Sequence, residues 1–439
     1  MTRAILQVEL VTPCFLSGAD QTSAELRAAA IRGQLRWWFR AVAGGVFGGD
    51  LAKTKASETM VFGATDRRSP LRISVSGAPG FWAVDERWPL DNGPFKVDAR
   101  ELARVCNVSP DAATLQRLAI RINDHEIPTD PLQHLGFGCI EYRKPEHGPK
   151  GLYLSRPCFA PGERATIELR WPPAGLTSGA SQSWEIFGRA LWAWVHLGGL
   201  GSRSRNGFGS LGCSAIEGSL PGGDLALSWK PEISTFRGGV TRLLREARDS
   251  AAGNWTHLSK DSRVLIGKRT FNTWAGALGA LGAWALFYRR RYGSSTDPGR
   301  GDSFDYRSRD YVWAKQAGSA GGAGPAGFPD KAGLGLPLLF DGQGSSVTWT
   351  SPTTDGEDHR RASPLLFHVA KLGDIYLPVV TYLPAQLIPD DAELRFRQKT
   401  NDHWHLRPQP RAKATAEHEK VATRFLDFLL AHVAQEVRP

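Results

Sequence analysis

The N-terminal half of the chain alternates between two hydrophobic periodicities. Period-two alternation, which is typical of half-buried strands, covers three segments: residues 3–11, 71–77 and 164–171. Apolar residues three or four positions apart, which indicate amphipathic helices, cover two more, each closed by a glycine pair: residues 29–42 and 181–199. A further strand is predicted to begin near Phe208. The order strand, helix, strand, strand, helix, strand over residues 3–216 is that of a split βαβ, ferredoxin-like unit.

The C-terminal half has weaker signals of the same kinds. Helical patterns cover three segments: residues 236–248, 271–292 and 414–434. Two apolar runs, residues 363–370 and 375–384, flank Leu372, Gly373 and Asp374 and predict a hairpin. These elements predict a second α+β domain, whose strand order the pattern does not reveal.

The length of the chain and its composition shifts favour two domains. We predict an N-terminal domain at residues 1–218 and a C-terminal domain at 232–439, with the intervening segment as a linker. Residues 78–130 have mixed patterns and many loop signals, and 293–335 are dense in Gly and Ser, so both are predicted to be loop-rich insertions.

The net charge of +10 favours a polyanionic partner, because neutralised phosphates release counterions. Five scattered cysteines argue against a disulfide framework and against a structural zinc site. No apolar run approaches the roughly 20 residues of a membrane helix, and the N-terminus lacks a signal-peptide pattern. We expect a soluble, cytoplasmic protein with no membrane partner, no metal and no cofactor.

One helix carries a row of arginines. Arg32, Arg36 and Arg40 recur at four-residue spacing beside the apolar stripe, and they present bidentate donors suited to phosphate oxygens. The alternative is an ordinary solvated face with ion pairs. Against it, no acidic residue lies between Glu25 and Asp50 to pair with these arginines within the helix.

The densest motif is GGLGSRSRNGFGSL at residues 198–211, directly after a predicted helix. Its glycines allow positive φ and let the backbone approach a ligand closely, while its other residues supply donors and a ring. It matches neither a P-loop nor a dinucleotide fingerprint, and the alternative is a flexible hinge. The candidate ligand contacts are Gly199, Gly201, Arg203, Arg205, Asn206, Gly207, Phe208 and Gly209.

Residues 12–45 and the glycine-rich motif together resemble the RAMP superfamily of CRISPR effector proteins and, more narrowly, the first-subunit family of type III-B Cmr complexes. The matched positions are Thr12, Pro13, Phe15, Gly18, Ala19, Glu25, Leu26, Arg27, Ile31, Arg32, Gly33, Leu35, Arg36, Trp37, Trp38 and Arg40. Later matches are Glu58, Phe62, Gly63, Leu334–Pro337 and Arg361–Pro364. The resemblance is dense over 12–77 and 184–212, patchy to about 385 and absent beyond.

The resemblance implies two ferredoxin-like domains in tandem and a role in a multi-subunit complex that targets RNA under the direction of a CRISPR guide RNA. Such subunits lie at the end of the complex that holds the 3′ part of the guide, help to capture single-stranded target RNA and leave cleavage to a neighbouring RAMP subunit. On this chain, the arginine row and the glycine-rich motif would be the RNA contacts.

Three functions remain open: an RNA-binding subunit, a metal-independent endoribonuclease of the RAMP superfamily, and a structural end cap. The best nuclease candidates are His196, at the end of a helix, and Asp20, in a loop. Their simpler roles are a helix C-terminal cation and a turn former. No carboxylate cluster is visible in the sequence to hold two metals. We predict a non-catalytic RNA-binding subunit.

Overall fold

The computed structural model describes most of the chain. The described residues are 2–77, 79–90, 96–118, 121–122, 125–126, 128–144, 148–172, 178–221, 229–292, 313–314, 317, 328, 330–336, 338–340, 345–351, 359–400 and 403–439. The predicted insertion at 293–335 lies largely outside them. None of the helices in the described part is both long and apolar enough to cross a membrane.

Helices and strands alternate along the whole chain. The helices are α1 (Ala28–Val46), α2 (Leu51–Phe62), α3 (Ala99–Val105), α4 (Ala112–Leu118), α5 (Pro131–Leu135), α6 (Ser178–Leu197), α7 (Ile233–Arg245), α8 (Trp274–Tyr292) and α9 (Ala416–His432), with a 3-10 turn at Asp330–Leu334. The strands are β1 (Thr2–Leu10), β2 (Arg72–Ser76), β3 (Phe81–Trp82), β4 (Arg121–Ile122), β5 (His125–Glu126), β6 (Ile140–Arg143), β7 (Gly151–Leu154), β8 (Cys158–Phe159), β9 (Arg164–Trp171), β10 (Leu211–Gly218), β11 (Arg263–Gly267), β12 (Leu338–Phe340), β13 (Ser345–Thr350), β14 (Leu365–Leu372), β15 (Ile375–Tyr382), β16 (Glu393–Thr400), β17 (His403–Ala412) and β18 (Ala434–Val437).

The first sheet is antiparallel with the order β10-β1-β9-β2. Counted along the chain, these are strands 4-1-3-2 of a β-α-β-β-α-β unit, which is the ferredoxin-like arrangement. Leu6 on β1 lies opposite Ile167 and Ile216 on the neighbouring strands. Leu6, Val8 and Leu10 are buried together with the apolar stripes of α1 and α6. The predicted ferredoxin-like unit is therefore confirmed.

The second sheet repeats the arrangement. Its strand order is β14-β15-β11-β18. Along the chain, these strands and the two helices of the unit follow in the order β11, α8, β14, β15, α9 and β18. All three strand pairs are antiparallel, so this sheet is again a 4-1-3-2 ferredoxin-like unit. The hairpin predicted on both sides of Gly373 is β14-β15, with Leu372 opposite Ile375. Two tandem ferredoxin-like units are thus present, as the resemblance implied.

A third sheet, with the order β12-β13-β16-β17, is not predicted by the sequence analysis. It has a small core of its own, in which Trp313 and Phe328 pack with Val347, Leu394 and Phe396. In β16, the buried Leu394 and Phe396 alternate with arginines, which is the period-two pattern of a half-buried strand. That alternation is the signal that could have located the strand.

Helix α1 does not end at the glycine pair that was expected to close it. It continues through Gly44 and Gly45 to Val46. A Cβ at Gly44 would lie 2.5 Å from side-chain atoms of both Trp255 and His257. The glycines are therefore explained by the close approach of the segment after α7, not by the end of the helix.

The predicted insertion at 78–130 lies between β2 and β9 of the first unit and contains short helices as well as loops. Helices α3 and α4, with the following α5, pack against α8 of the second unit. At one crossing, a Cβ on Gly282 would lie only 2.4 Å from the carbonyl oxygen of Pro131. The insertion therefore joins the core of the second sheet.

Candidate nucleic-acid interface

Arg32 on α1 is already bound within the protein. Its Nη1 donates to the Ser69 hydroxyl at 2.9 Å and its Nη2 to the Leu71 carbonyl oxygen at 3.1 Å. Burial, and then the charge of Arg36, lower the pKa of this guanidinium. Arg32 thus joins α1 to the chain just before β2, which leaves it little capacity to bind a ligand.

Arg36 and Arg40 share one carboxylate, that of Glu58 on α2. Arg36 Nε donates to Glu58 Oε1 at 2.6 Å, while Arg40 donates to Oε2 at 2.6 Å and to Oε1 at 2.9 Å. Burial alone would raise the pKa of Glu58, but the hydrogen bonds from Arg40 and Arg36 hold it below its ordinary value. The arginine row is therefore ion-paired by a neighbouring helix, a partner that counting acidic residues within α1 could not reveal.

The group of Arg36, Arg40 and Glu58 still carries one net positive charge. The two arginine side chains remain 42% and 49% exposed, whereas the carboxylate is 6% exposed. Their outer edges can therefore contact a phosphate without breaking the internal pairs.

The glycines of the 198–211 loop are needed by the protein's own backbone. Gly209 has φ +64°, and a Cβ there would lie 1.9 Å from the Leu200 carbonyl oxygen; Gly201 has φ +84°, and a Cβ would lie 2.4 Å from the Phe15 carbonyl oxygen. The positive φ expected of the loop glycines is confirmed for Gly201, Gly207 and Gly209, but the close approaches of Gly201 and Gly209 are to the protein's own backbone. The carbonyl oxygen of Gly199 likewise accepts a hydrogen bond from Trp194 Nε1 at 3.1 Å.

Phe208 cannot stack on a base. Its side chain is fully buried, and its ring lies 5.2 Å from that of Phe15 at a tilt of 56°. Gly207, beside it, is also buried; a Cβ there would lie 2.7 Å from Leu278 of α8. The expectation that Phe208 offers a ring to the ligand is wrong because the loop folds inwards at this point, between the two ferredoxin-like units.

Arg205 and Asn206 join the loop to the rest of the protein. Arg205 Nη1 donates to the Ser363 carbonyl oxygen at 2.8 Å, and its guanidinium lies 4.8 Å from the centre of the Trp37 ring. Burial, with the nearby charge of Arg361, lowers the pKa of Arg205 to about 10. Asn206 Nδ2 donates to the Leu135 carbonyl oxygen at 2.8 Å.

The neighbouring part of β14 makes further contacts with the loop. We call the contact between the glycine-rich loop (198–211) and residues 363–369 the seam. His368 Nδ1 lies 2.7 Å from the Gly198 carbonyl oxygen, and the Val369 amide donates to the Ser210 hydroxyl at 3.0 Å. The Phe367 amide donates to the Arg205 carbonyl oxygen at 2.8 Å. The packing is that of a fixed junction between the two units, unlike the flexible hinge considered as an alternative.

Arg203 is the predicted loop residue that remains exposed. It has φ +60°, a left-handed conformation that is uncommon outside glycine. Its Nη2 lies 3.2 Å from the position of a Cβ on Gly138. Two further exposed residues lie near it, Phe137, which precedes Gly138 in the chain, and Arg156, whose charge acts on Cys139 as that of Arg203 does. Their distance along the chain from the glycine-rich motif explains why they were missed.

His196 lies in an aromatic cluster. Its ring stacks 4.3 Å from that of Trp192 and lies 5.0 Å from that of Trp229. Burial lowers the pKa of His196 to about 4, against the opposing effect of its hydrogen bond to the Trp192 carbonyl. The imidazole is therefore neutral at physiological pH and is held by packing on both sides.

Asp20 shapes its own turn. Its Oδ1 accepts hydrogen bonds from the amides of Thr22 and Ser23, each at 3.1 Å, and its carboxylate also accepts from the Ser23 hydroxyl. The hydrogen bonds from Ser23 and Thr22 lower the pKa of Asp20 to about 2. A carboxylate that is already satisfied in this way is a weak general base.

The described residues contain no group of three or more His, Cys, Asp or Glu side chains placed to hold a metal ion. Burial raises the pKa of Cys14 and of Cys213, so these thiols are poor thiolate ligands at neutral pH.

Comparisons with known proteins agree with this architecture. Residues 7–212 match the model of the RAMP superfamily. CRISPR system Cmr subunit Cmr1-2 of Pyrococcus furiosus is 26% identical over 212 residues, which is 48% of this chain and 95% of that protein. Cmr subunit Cmr1-1 of the same organism is 31% identical over 187 residues, 43% of this chain and 40% of that protein.

A solved structure extends the likeness to both units. The apo crystal structure of Cmr1 from Pyrococcus furiosus aligns with 100% of this chain and 99% of its own, at 18% identity and a TM-score of 0.53. At that identity the match shows a shared fold. Residues 7–212 are thus similar to the RAMP superfamily, and the two relatives named above are Cmr subunits.

Proposed function

We propose that this chain is a non-catalytic RNA-binding subunit of a type III-B CRISPR RNA-guided complex. In this role it contacts the 3′ part of the guide RNA, helps to capture single-stranded target RNA in antiviral defence and docks on other RAMP subunits in the cytoplasm. The observation that carries the proposal is the match of residues 7–212 to the superfamily, together with relatives that are named as Cmr subunits.

The charge of the chain supports an RNA partner. The net charge is +10, and partly or fully exposed arginines lie on α1 and at the apex of the glycine-rich loop. The RNA contacts that we retain are Arg36 and Arg40, through their outer edges, and Arg203. Arg32, Arg205, Asn206, Phe208 and the loop glycines support these contacts from within the fold. The domain bounds 1–218 and 232–439 remain part of the proposal.

The alternative, a metal-independent endoribonuclease, has weaker support. His196 is stacked between aromatic rings with a lowered pKa, and Asp20 is committed to its turn. Neither group is therefore well suited to act as a general acid or base.

One experiment separates the three functional classes. The purified full chain is incubated with labelled single-stranded RNA in EDTA, alone and with its partner subunits, and resolved on native and denaturing gels. Retarded, intact RNA is the expected result. RNA fragments would indicate the nuclease, and unshifted RNA in both settings would indicate a structural end cap.

A further inference from the structure

The turn between α5 and β6, residues Gly136–Cys139, is firmly held. Asn206 of the glycine-rich loop donates to the Leu135 carbonyl oxygen at 2.8 Å. From the other side, Ser155 donates through its hydroxyl to the Gly138 carbonyl oxygen and through its amide to that of Cys139, each at 3.0 Å. The turn is therefore a fixed platform between the glycine-rich loop and the β7–β8 connection.

Phe137 lies at the apex of this platform and is 46% exposed. Nearly half of a large apolar ring is thus presented to solvent, although the neighbouring Leu135 is buried in the core. A rigidly mounted, exposed aromatic ring is the feature with which proteins stack single-stranded bases.

Two arginines flank the same turn. Arg203 and Arg156 are both exposed, and both lie close enough to Cys139 for their charges to oppose the rise that burial produces in its pKa. Among the ion pairs formed by the described residues, neither arginine has a carboxylate partner. The nearby Glu141 is bound by Arg143 at 3.2 Å. Arg203 is also hydrogen-bonded to the Cys139 thiol. The cluster of Phe137, Arg156 and Arg203, which we call the grip, therefore combines an open ring with two exposed guanidiniums that no described carboxylate neutralises.

We propose that the grip binds single-stranded RNA, with one base stacked on Phe137 and neighbouring phosphates bound by Arg156 and Arg203. This inference rests on the proposed function and adds the residues that would bind its single-stranded RNA. A duplex keeps its bases paired and stacked internally, so it can engage the two arginines but not the ring. The grip therefore selects single strands over duplexes.

The chemistry of the grip favours RNA over a protein segment. Guanidinium forks match phosphate oxygens, and an aromatic face accepts any base, which suits a subunit that must act on many guide and target sequences. The net charge of +10 adds a favourable long-range field for a polyanion.

The test uses the full chain and a labelled RNA of about 20 nucleotides, single-stranded or annealed to its complement, with dissociation constants measured by fluorescence anisotropy. Phe137→Ala is expected to weaken single-strand binding by about tenfold, with little effect on the duplex. Phe137→Trp is expected to retain binding. The aromatic control is Phe81→Ala, whose ring is 44% exposed on β3.

The double variant Arg156→Ala/Arg203→Ala tests the phosphate contacts. Each lost contact to a single strand should reduce the slope of log affinity against log salt by about 0.7, measured between about 50 and 200 mM salt. The charge-matched control is Arg72→Ala/Arg100→Ala, which removes two exposed arginines on β2 and α3. Thermal unfolding of every variant checks that the fold is intact.

The outcomes separate the grip from the proposed function. If all grip variants bind RNA as tightly as the wild type, the grip proposal is wrong, but the chain is still an RNA-binding subunit. A wild-type chain that binds no RNA, alone or with its partner subunits, would overturn both. Grip variants that bind RNA normally but no longer join a partner subunit would assign the surface to protein contact.

Discussion

Arg205 in the glycine-rich loop donates a hydrogen bond from Nη1 to the carbonyl oxygen of Ser363, which lies just before β14, at 2.8 Å. The contact joins the loop of the first ferredoxin-like unit to the edge strand of the second. The motif that sequence analysis assigned to RNA is therefore, over most of its length, the junction between the two units. Arg203 at its apex is the exposed exception.

Arg205→Ala should destabilise the protein more than Arg203→Ala. It removes a charge-assisted hydrogen bond and a cation–π contact with Trp37, which together contribute about 2 kcal/mol. Arg203→Ala, two residues away in the same loop, should change the free energy of unfolding by less than about 0.5 kcal/mol. Urea denaturation of both variants checks the difference, and equal effects would contradict the assignment of Arg205 to the seam.

Gly209→Ala and Gly33→Ala should have effects of opposite sign. A Cβ at Gly209 would lie 1.9 Å from the Leu200 carbonyl oxygen at φ +64°, whereas a Cβ at Gly33 meets nothing within 4 Å. We expect Gly209→Ala to lower the free energy of unfolding by more than about 3 kcal/mol. In the middle of α1, Gly33→Ala should raise it by about 1 kcal/mol. A normal melting temperature for Gly209→Ala would refute the packing of this loop.

Glu58→Gln should lower stability by about 1–3 kcal/mol, because a buried carboxylate that accepts hydrogen bonds from both Arg36 and Arg40 is replaced by a neutral amide. The control is Glu101→Gln, which removes an exposed pair with Arg104 and should cost less than about 0.5 kcal/mol. Chemical denaturation measures both. If Glu58→Gln lowers the free energy of unfolding no more than its control does, the ion pairs between α1 and α2 do not stabilise the protein.

Stability should fall as the pH drops below the ordinary histidine pKa. Burial lowers the pKa of His196 to about 4 and that of His368 to about 3. The unfolded chain then binds protons that the folded chain does not, so stability is full above about pH 6.5 and is lost progressively towards pH 4. His196→Phe keeps a ring on Trp192 but cannot titrate.

The pH prediction is checked by thermal unfolding between pH 7 and about pH 4.5. The melting temperature of His196→Phe should fall less steeply than that of the wild type. If the melting temperatures of the two proteins fall in parallel with pH, burial of His196 does not contribute to the loss of stability at low pH.

Local periodicity located the elements that pack by one face. β1 and β9 alternate cleanly because one side of the first sheet faces α1 and α6, and the same logic located the β14–β15 hairpin. The third sheet was missed although its strand β16 has the same period-two pattern, in which the buried Leu394 and Phe396 alternate with arginines.

The site was harder to predict because its contacts are tertiary. Glu58 is on a different helix from the arginines that it pairs, so the absence of acidic residues within α1 counted against the ion-paired face that the structure shows. Phe208 is buried by Phe15 and by the second unit, which no local pattern specifies. Phe137 lies near Arg203 only in the folded chain, where Arg203 Nη2 is 3.2 Å from the Cβ position of the adjacent Gly138.

The most direct measurement is photocross-linking of the assembled complex that carries 4-thiouridine in its guide and target RNA, followed by mass spectrometry of this chain. The account predicts cross-links to the peptides that contain Phe137 and Arg203, and their loss in Phe137→Ala. Cross-links confined to other surfaces, or none to this chain at all, would contradict it.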